Sequence, residues 1–188
     1  MKNTRQEIMA TALELFCRYG IQATGVDGIA QKAGTTRQTL YNHFESKDQL
    51  ALEVLKKHDY WWREEFRTQT RLRGGNDPVA QLRSVFDILR DWFSSQDFSG
   101  CLFVSAAMEF PSLNDPAHQA AKANVDAIRG LIVELASNCG FREPQSFATR
   151  FNMILEGAIV TEIVDRDHKA ADQAAEIANI LIDHHSAA

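Results

Sequence analysis

Cysteine is scarce in this chain, and its three cysteines, Cys17, Cys101 and Cys139, lie far apart without a CxxC spacing. An odd, widely spaced set argues against a disulfide framework and a zinc site, and it fits a reducing compartment. The six histidines also lack an HExxH or other paired-ligand spacing. We therefore expect neither a metal nor another cofactor.

Long apolar runs are missing as well. The N-terminal stretch MKNTRQEIMATALELF is polar with a helical pattern, unlike the continuous apolar run of a signal peptide. No segment approaches the roughly 18 uncharged apolar residues that suggest a membrane span. The sequence therefore predicts a cytoplasmic protein without a membrane partner.

A strongly basic charge is absent from the chain as a whole, which carries a formal net charge of -5 over 188 residues. The charge is unevenly distributed, however. Residues 1–60 hold 8 Lys and Arg against 7 Asp and Glu, and residues 61–188 hold 12 against 18, which gives +1 and -6. The first segment is thus relatively basic and the second clearly acidic.

Alternating β patterns of useful length are also missing, whereas apolar residues recur at steps of three and four almost throughout. Glycine, proline and capping residues divide this periodicity into separate helices. The sequence therefore predicts an all-α fold. The predicted helices cover about residues 4–19, 24–33, 36–44, 47–71, 78–95, 101–110, 116–138, 141–167 and 170–184.

Ala30, Gly34 and Leu40 have the spacing of a helix-turn-helix. A small residue such as Ala30 is needed where the second helix crosses the first, and Gly34 tolerates the positive φ of the turn. Leu40 then points back into the shared core. The spacing, with a capped three-helix unit around it, predicts a nucleic-acid-binding motif.

The polar residues around Leu40 are the candidates for DNA contact. Near the start of a recognition helix, Arg37 can reach guanine and Gln38 can reach adenine in the major groove. Lys47 adds a cation at the start of the next helix, where backbone N–H groups also favour anions. The other candidates are Thr36, Thr39, Tyr41, Asn42 and His43. A polar run of this kind is also typical of a solvated helix face, and Tyr41 has the alternative role of covering the helix junction.

The stretch TGVDGIAQKAGTTRQTLYNHFESKDQL resembles the DNA-binding segment of TetR-type transcriptional regulators. The resemblance covers roughly residues 5–52, and the rest of the chain matches the family in its helical architecture. The residues that match the pattern T…IA..AG…..LY.HF.SK..L are Thr24, Ile29, Ala30, Ala33, Gly34, Leu40, Tyr41, His43, Phe44, Ser46, Lys47 and Leu50. Gly25 departs from the pattern, because this position is often Ser or Thr, and its lack of a side chain weakens a helix cap.

The resemblance implies an N-terminal DNA-binding domain, residues 1–50, and a helical ligand-binding and dimerisation domain, residues 51–188. It also implies a homodimeric regulator, usually a repressor that a small molecule releases from a palindromic operator. The positions that it implies touch DNA are Thr24, Arg37, Gln38, Thr39, Tyr41, Asn42, His43 and Lys47.

Two other functions stay open at this point. The first is an all-helical enzyme or carrier that merely contains a helix-turn-helix, although no Ser/His/Asp, metal-ligand or phosphate-loop spacing supports catalysis. The second is a regulator that activates transcription or responds to a protein partner. We expect a regulator and not an enzyme, and its effector, operator sequence and target genes are unknown.

The last two long helices are the candidates for the dimer interface, since two such helices from each protomer can form a four-helix bundle. The first of them has more apolar width than one core face needs. The second offers the small residues Ala174, Ala175 and Ala178, which suit close approach. The alternative is that these residues pack inside the protomer.

An effector pocket is expected among the aromatic and methionine side chains of the middle of the chain, which suit an apolar cavity between helices. Most of these side chains must belong to the core. Glu109, in an apolar helix, is a candidate for binding a cationic or hydroxylated ligand, or else faces solvent. The candidate pocket residues are Trp62, Phe66, Phe86, Trp92, Phe103, Met108 and Met153.

Cys101 is a candidate redox sensor. It begins a predicted helix, where the helix dipole favours the reactive thiolate. The alternative is that Cys101 is a small buried hydrophobic residue.

Overall fold

The structure is a computed structural model that describes residues 4–96 and 98–186, and the elements of these two ranges are helices without any strand. The all-α prediction is confirmed, and the observed helices fall close to the predicted ranges. They are α1 (Thr4–Tyr19), α2 (Val26–Lys32), α3 (Arg37–His43), α4 (Lys47–Gly74), α5 (Pro78–Phe93), α6 (Leu102–Glu109), α7 (Pro116–Asn138), α8 (Pro144–Asp165) and α9 (Ala170–Ser186).

Local hydrogen bonds explain where several helices begin. Before α4, the N–H of Gln49 donates to the Ser46 hydroxyl at 3.1 Å, and the Gln49 side chain accepts from the N–H of Glu45. Before α5, the N–H of Val79 donates to the Asp77 carboxylate at 2.9 Å. These side chains satisfy backbone donors that a helix start leaves without partners. Gly25 precedes α2 without a side-chain cap.

The chain divides into two compact units that are not consecutive in sequence. Unit 1 comprises Met1–Trp61 and Cys101–Val125, and unit 2 comprises Trp62–Gly100 and Asp126–Ala188. The predicted domain boundary after residue 50 falls inside α4. Unit 1 thus joins α1, α2 and α3 with α6 and with the first part of α7.

Unit 1 has one hydrophobic core to which α1, α2, α3, α4, α6 and α7 contribute. Its aromatic centre includes Phe16 and Phe44, both almost fully buried. His58 stacks on Trp61 and on Phe103, with ring centroids 5.9 and 5.6 Å away. Burial in this stack lowers the pKa of His58, against the smaller opposing effect of Asp59.

Unit 2 is built on α5, α8 and α9, which pack against one another. Phe86 of α5 meets Phe151 of α8 with ring centroids 5.3 Å apart. On the surface, Arg83 donates to Asn179 and Asp183 of α9 at 2.6 and 2.5 Å. Of the helices in residues 4–96 and 98–186, none combines the length and the apolar character that crossing a bilayer requires.

Candidate nucleic-acid interface

Gly34 forms the turn between α2 and α3 with a φ of +66°. Its N–H donates to the carbonyl of Gln31 at 3.1 Å, and the N–H of Thr35 donates to the carbonyl of Ala30 at 2.9 Å. These bonds satisfy carbonyls at the end of α2. A Cβ added at Gly34 would meet no atom within 4 Å, so backbone conformation and not space requires the glycine.

The helix α3 is capped at its start and buried on one side. The side-chain oxygen of Thr36 accepts a hydrogen bond from the N–H of Thr39 at 3.1 Å, which is the usual N-cap arrangement. Leu40 and Phe44 lie in the core of unit 1. The other side of α3 therefore faces solvent. Its exposed side chains are Arg37, Gln38, Tyr41, Asn42 and His43.

Arg37 is held over the surface of α3 by weak contacts. Its guanidinium lies 5.6 Å from the centroid of the Tyr41 ring, and its Nη1 is 3.5 Å from Oδ2 of Asp27. Both partners of this ion pair are well exposed, and such pairs contribute little to stability. A phosphate or a guanine edge can therefore replace these contacts at small cost.

Thr24 and Lys47 are engaged within the protein. Thr24 is buried, and its hydroxyl donates to the carbonyl of Gly20 at 2.6 Å. Lys47 is half-buried, and its Nζ donates to the carbonyls of Gln22 and Thr24 at 3.0 and 2.9 Å. Their predicted phosphate contacts stay predictions, and the structure places both side chains in the connection between α1 and α2.

Unit 2 has a surface cavity of about 550 Å³, partly open to solvent, beside the second half of α4. Apolar side chains from α4 and α7 line it together with charged and polar ones, so it can accept an amphipathic small molecule. The lining residues are Glu64, Phe66, Arg67, Thr68, Thr70, Arg71, Leu72, Gln81, Leu131, Glu134 and Leu135.

The candidate pocket residues are distributed over several surroundings. Phe66 is buried and lines the cavity. Trp62 and Trp92 pack on each other with ring centroids 5.2 Å apart, whereas Phe86 and Phe103 lie in the aromatic contacts described above. Met108 and Met153 are largely exposed. The polar residues of α4 that line the cavity were not identified from the sequence. Their helical spacing is equally typical of a solvent-exposed helix surface.

Glu109 uses both oxygens of its carboxylate in hydrogen bonds within unit 1. Its two carboxylate oxygens accept hydrogen bonds from the N–H groups of Ile21 and Gln22 at 3.0 and 2.6 Å. The sequence contained no local signal for this contact, since the partners are 88 and 87 positions apart.

Cys101 is half-buried at the N-cap of α6. Burial, and secondarily the neighbouring Cys101, raises the pKa of Cys17 to about 11. Burial also raises the pKa of Cys139 to about 11. At neutral pH, Cys17 and Cys139 are therefore thiols, and the sensor role of Cys101 stays a prediction. Within residues 4–96 and 98–186, no three His, Cys, Asp or Glu side chains converge as a metal site.

Comparison with known proteins adds two family matches. The model of bacterial regulatory proteins of the tetR family matches residues 8–54, which include the whole candidate interface. The model of the tetracyclin repressor-like C-terminal domain matches residues 78–178. The two matches together cover most of the chain.

Individual proteins agree with these matches. The chain is 22% identical over 182 residues to the HTH-type transcriptional regulator YjdC of Escherichia coli (strain K12), which is 95% of this chain and 93% of that protein. It is 31% identical over 134 residues to the HTH-type transcriptional activator FasR of Mycolicibacterium smegmatis, or 68% of this chain and 58% of that protein. The solved structure of a TetR-family transcriptional regulator from Streptomyces coelicolor matches with a TM-score of 0.87 and 27% identity, over 97% of this chain and 96% of that one.

Proposed function

The chain belongs to the TetR family of bacterial regulatory proteins, and from that premise we propose that it is a homodimeric repressor, released from a palindromic operator by a small-molecule effector. Family membership makes the chain a DNA-binding transcriptional regulator and not an enzyme. The alternative of a helical enzyme or carrier is thereby set aside. Because bacterial DNA lies in the cytoplasm, we propose that the protein acts there.

The observation that carries the DNA-binding assignment is the division of α3 into a buried side and an exposed polar side. Leu40 holds the helix in the core, and Arg37 and Gln38 stand exposed in its first turn. An Arg can bind guanine O6 and N7 in a bidentate manner, and a Gln can bind adenine N6 and N7. We therefore propose that Arg37 and Gln38 read bases.

The remaining candidates are proposed for backbone contact or for a mixed role. Tyr41 and His43 are exposed donors near the end of α3, at positions suited to phosphate oxygens. Lys47 and Thr24 can reach phosphate only if their present bonds to backbone oxygens are shared or exchanged. The hydroxyls of Thr36 and Thr39 are hydrogen-bonded to each other at 2.9 Å. For Asn42 we propose a mixed role, in contact with a base or with the DNA backbone.

The proposed dimer interface rests on exposed apolar side chains of α8 and α9, which pack side by side. On α8 these are Met153, Val160 and Val164, and on α9 they are Ile177 and Ile180. Exposed apolar surface of this kind is typical of an interface between protein chains. A two-fold arrangement of these helices would form a four-helix bundle and present two copies of α3 to two half-sites.

The cavity in unit 2 is the proposed effector site. Phe66, Leu131 and Leu135 offer apolar contacts, while Arg71 and Glu134 offer charge. An effector that binds the DNA-incompetent conformation more tightly lowers operator affinity by its differential affinity for the two states. The helix α4 runs without a break from Lys47 to Gly74, so it carries both DNA-proximal and cavity-lining residues.

Repression needs fewer parts than activation. A dimer that occupies an operator excludes other proteins from the same DNA, whereas an activator also needs a surface that recruits the transcription machinery. FasR is named an activator, and activation is therefore the alternative to test. A transcription assay on the protein's own promoter distinguishes the two, since a repressor lowers and an activator raises transcript yield.

The experiment that tests DNA recognition uses duplexes that the wild-type protein selects from a random-sequence pool. We expect Arg37→Ala to weaken binding by about 1–3 kcal/mol and to relax specificity at one base position. Tyr41→Ala should weaken binding to all sequences about equally, because a contact to phosphate carries no base information.

Arg18 and Tyr19 provide the matched control. They form a similar exposed pair in unit 1, with the Arg18 guanidinium 5.5 Å from the Tyr19 ring centroid. We expect Arg18→Ala and Tyr19→Ala to bind as the wild type does. Unchanged affinity in both Arg37→Ala and Tyr41→Ala would remove α3 as the recognition helix.

A further inference from the structure

The connection after α1 leaves backbone donors that α6 satisfies. The helix ends at Tyr19. Gly20 follows with a φ of +86°, and its N–H donates to the carbonyl of Phe16. The next two N–H groups, of Ile21 and Gln22, donate to the two carboxylate oxygens of Glu109. The Gln22 side chain also donates to the Glu109 carbonyl. All of these residues lie in unit 1, and Glu109 is the last residue of α6.

Gly20 leaves room for the Glu109 carboxylate in its present position and also suits the backbone conformation there. A Cβ added at Gly20 would stand 2.7 Å from Oε1 of Glu109, which is closer than such atoms can approach. A side chain at this position would therefore displace the carboxylate. The positive φ alone would add strain, because residues other than glycine rarely adopt it.

The backbone carbonyls of the same connection bind the side-chain ammonium group of Lys47. Lys47 donates from Nζ to the carbonyls of Gln22 and Thr24 at 3.0 and 2.9 Å. Lys47 begins α4, whereas α3 ends at His43, so this bond fastens the chain immediately after the recognition helix. Gln22 thus donates to Glu109 and accepts from Lys47.

We propose that Glu109 is a positioning residue for DNA recognition. Its carboxylate holds the N–H groups of Ile21 and Gln22, and the same connection presents the carbonyls of Gln22 and Thr24 to Lys47. Lys47 in turn holds the chain after α3 against the connection between α1 and α2. The role depends only on DNA binding through α3, and not on repression, effector release or dimerisation. Glu109 belongs to α6 and not to the exposed face of α3, so it acts on DNA only through Lys47 and the protein backbone between α1 and α2.

The direction in which Glu109→Ala changes DNA affinity distinguishes a positioning role from a purely electrostatic one. Replacing Glu109 by Ala removes a negative charge from the DNA-binding unit, which by itself strengthens binding to any polyanion. Loss of positioning acts in the opposite direction and only on the selected sequence. Charged hydrogen bonds are worth enough for Glu109→Ala to weaken binding to the selected duplex about tenfold. Binding to an unselected duplex should be unchanged or tighter.

The experiment compares full-length variants on a duplex selected by the wild-type protein and on an unselected duplex of equal length. Glu109→Gln should fall between wild type and Glu109→Ala, since an amide oxygen can accept one N–H while its NH2 group opposes the other. Gly20→Ala should lose affinity as Glu109→Ala does. The double variant that combines Gly20→Ala with Glu109→Ala should bind no more weakly than Gly20→Ala alone, because both changes break the same contact.

Gly140→Ala is the matched control for backbone strain. Gly140 has a φ of +78°, and an added Cβ there would meet no atom within 4 Å. It should lower the melting temperature without changing the preference for the selected duplex. Equal loss of affinity for both duplexes in Glu109→Ala, or a loss in Gly140→Ala of the same size, would assign Glu109 to stability alone. Wild-type affinity in Glu109→Ala would overturn the proposal, whereas failure of the wild type to select any duplex would instead contradict DNA recognition by α3.

Discussion

Gln38 donates a hydrogen bond from its side-chain Nε2 to Oδ1 of Asn42, one turn further along α3, at 3.1 Å. The bond fixes which way the Gln38 amide faces, and it leaves the Gln38 oxygen and one N–H open to solvent. An adenine edge needs one donor and one acceptor at this spacing. In the proposed adenine contact, Asn42 therefore orients the Gln38 amide before DNA binds.

Gln38→Ala and Asn42→Ala should affect recognition unequally. We expect Gln38→Ala to cost about 1–3 kcal/mol of binding and to relax the preference at one base pair. Asn42→Ala should cost less and keep the preferred base, since it removes orientation and not the contact. Selection experiments with each variant report both quantities. A shift in the preferred base in Asn42→Ala would instead make Asn42 a reader in its own right.

A charge on the exposed face of α8 or α9 should dissociate the proposed dimer. Val164 and Ile180 are 74% and 72% exposed in the single chain. Val164→Glu or Ile180→Glu would place an unpaired carboxylate in the interface, where desolvation costs several kcal/mol. Sedimentation should then show a monomer, and operator binding should weaken because only one half-site is held.

Leu113→Glu is the control for the dimer variants, because Leu113 is 73% exposed in a connection of unit 1. It should leave the molecular mass in solution unchanged. A dimer that survives both Val164→Glu and Ile180→Glu would place the interface elsewhere.

Filling the cavity of unit 2 should uncouple the effector from DNA. Leu135 lines the cavity, and Leu135→Trp would occupy part of its volume. A compound that raises the melting temperature of the wild type, as any ligand of the folded state must, should lose this effect on the variant. Binding of the selected duplex should stay as in the wild type. Retained release of DNA by the same compound would mean that the effector binds outside this cavity.

His58 should make the protein less stable in mild acid. Its pKa is lowered from the ordinary value of 6.5, mainly by burial. The unfolded chain then binds more protons than the folded one, so the contribution of His58 is complete above pH 6.5 and is lost as pH falls through its folded pKa. Urea unfolding between neutral and mildly acidic pH measures this loss. His58→Phe keeps an aromatic ring in the stack and should reduce the acid sensitivity, whereas a replacement of the exposed His184 by Gln should not.

Oxidation should act through Cys101 if the sensor prediction holds. Burial keeps Cys17 and Cys139 protonated, with pKa values of about 11, and thiols react slowly with oxidants. Peroxide titration of the selected-duplex complex should therefore weaken binding in the wild type, in Cys17→Ser and in Cys139→Ser. Cys101→Ser should be insensitive. If peroxide weakens DNA binding by Cys101→Ser as much as by the wild type, Cys101 is not the sensor.

Local signals in the sequence determined the helices and the motif. Gly34 predicted a turn that needs positive φ, and the structure has one there. Ser46 and Gln49 predicted a helix start, and their hydrogen bonds form it. Leu40 and Phe44 predicted which side of α3 is buried. These features depend on residues a few positions apart, whose geometry a short stretch of chain sets by itself.

Contacts between distant stretches followed from tertiary structure alone. Ala174 and Ala178, expected where two protomers approach, are buried within the protomer, whereas Ile177, expected beside them, is exposed together with Ile180. Helical periodicity shows which residues share a side of a helix, but not which neighbour that side meets.

The three charged or polar residues around the connection after α1 show the same limit. Thr24 and Lys47 have the residue types of phosphate contacts, yet both bond to backbone carbonyls in this structure. Glu109 reaches the same connection from a helix more than 80 positions away. The sequence by itself determined the family, the helices and the exposed face of α3, because local spacing encodes them. Only the tertiary structure decided which distant residues meet at the connection after α1, because a hydrogen bond between them exists only once the chain has folded.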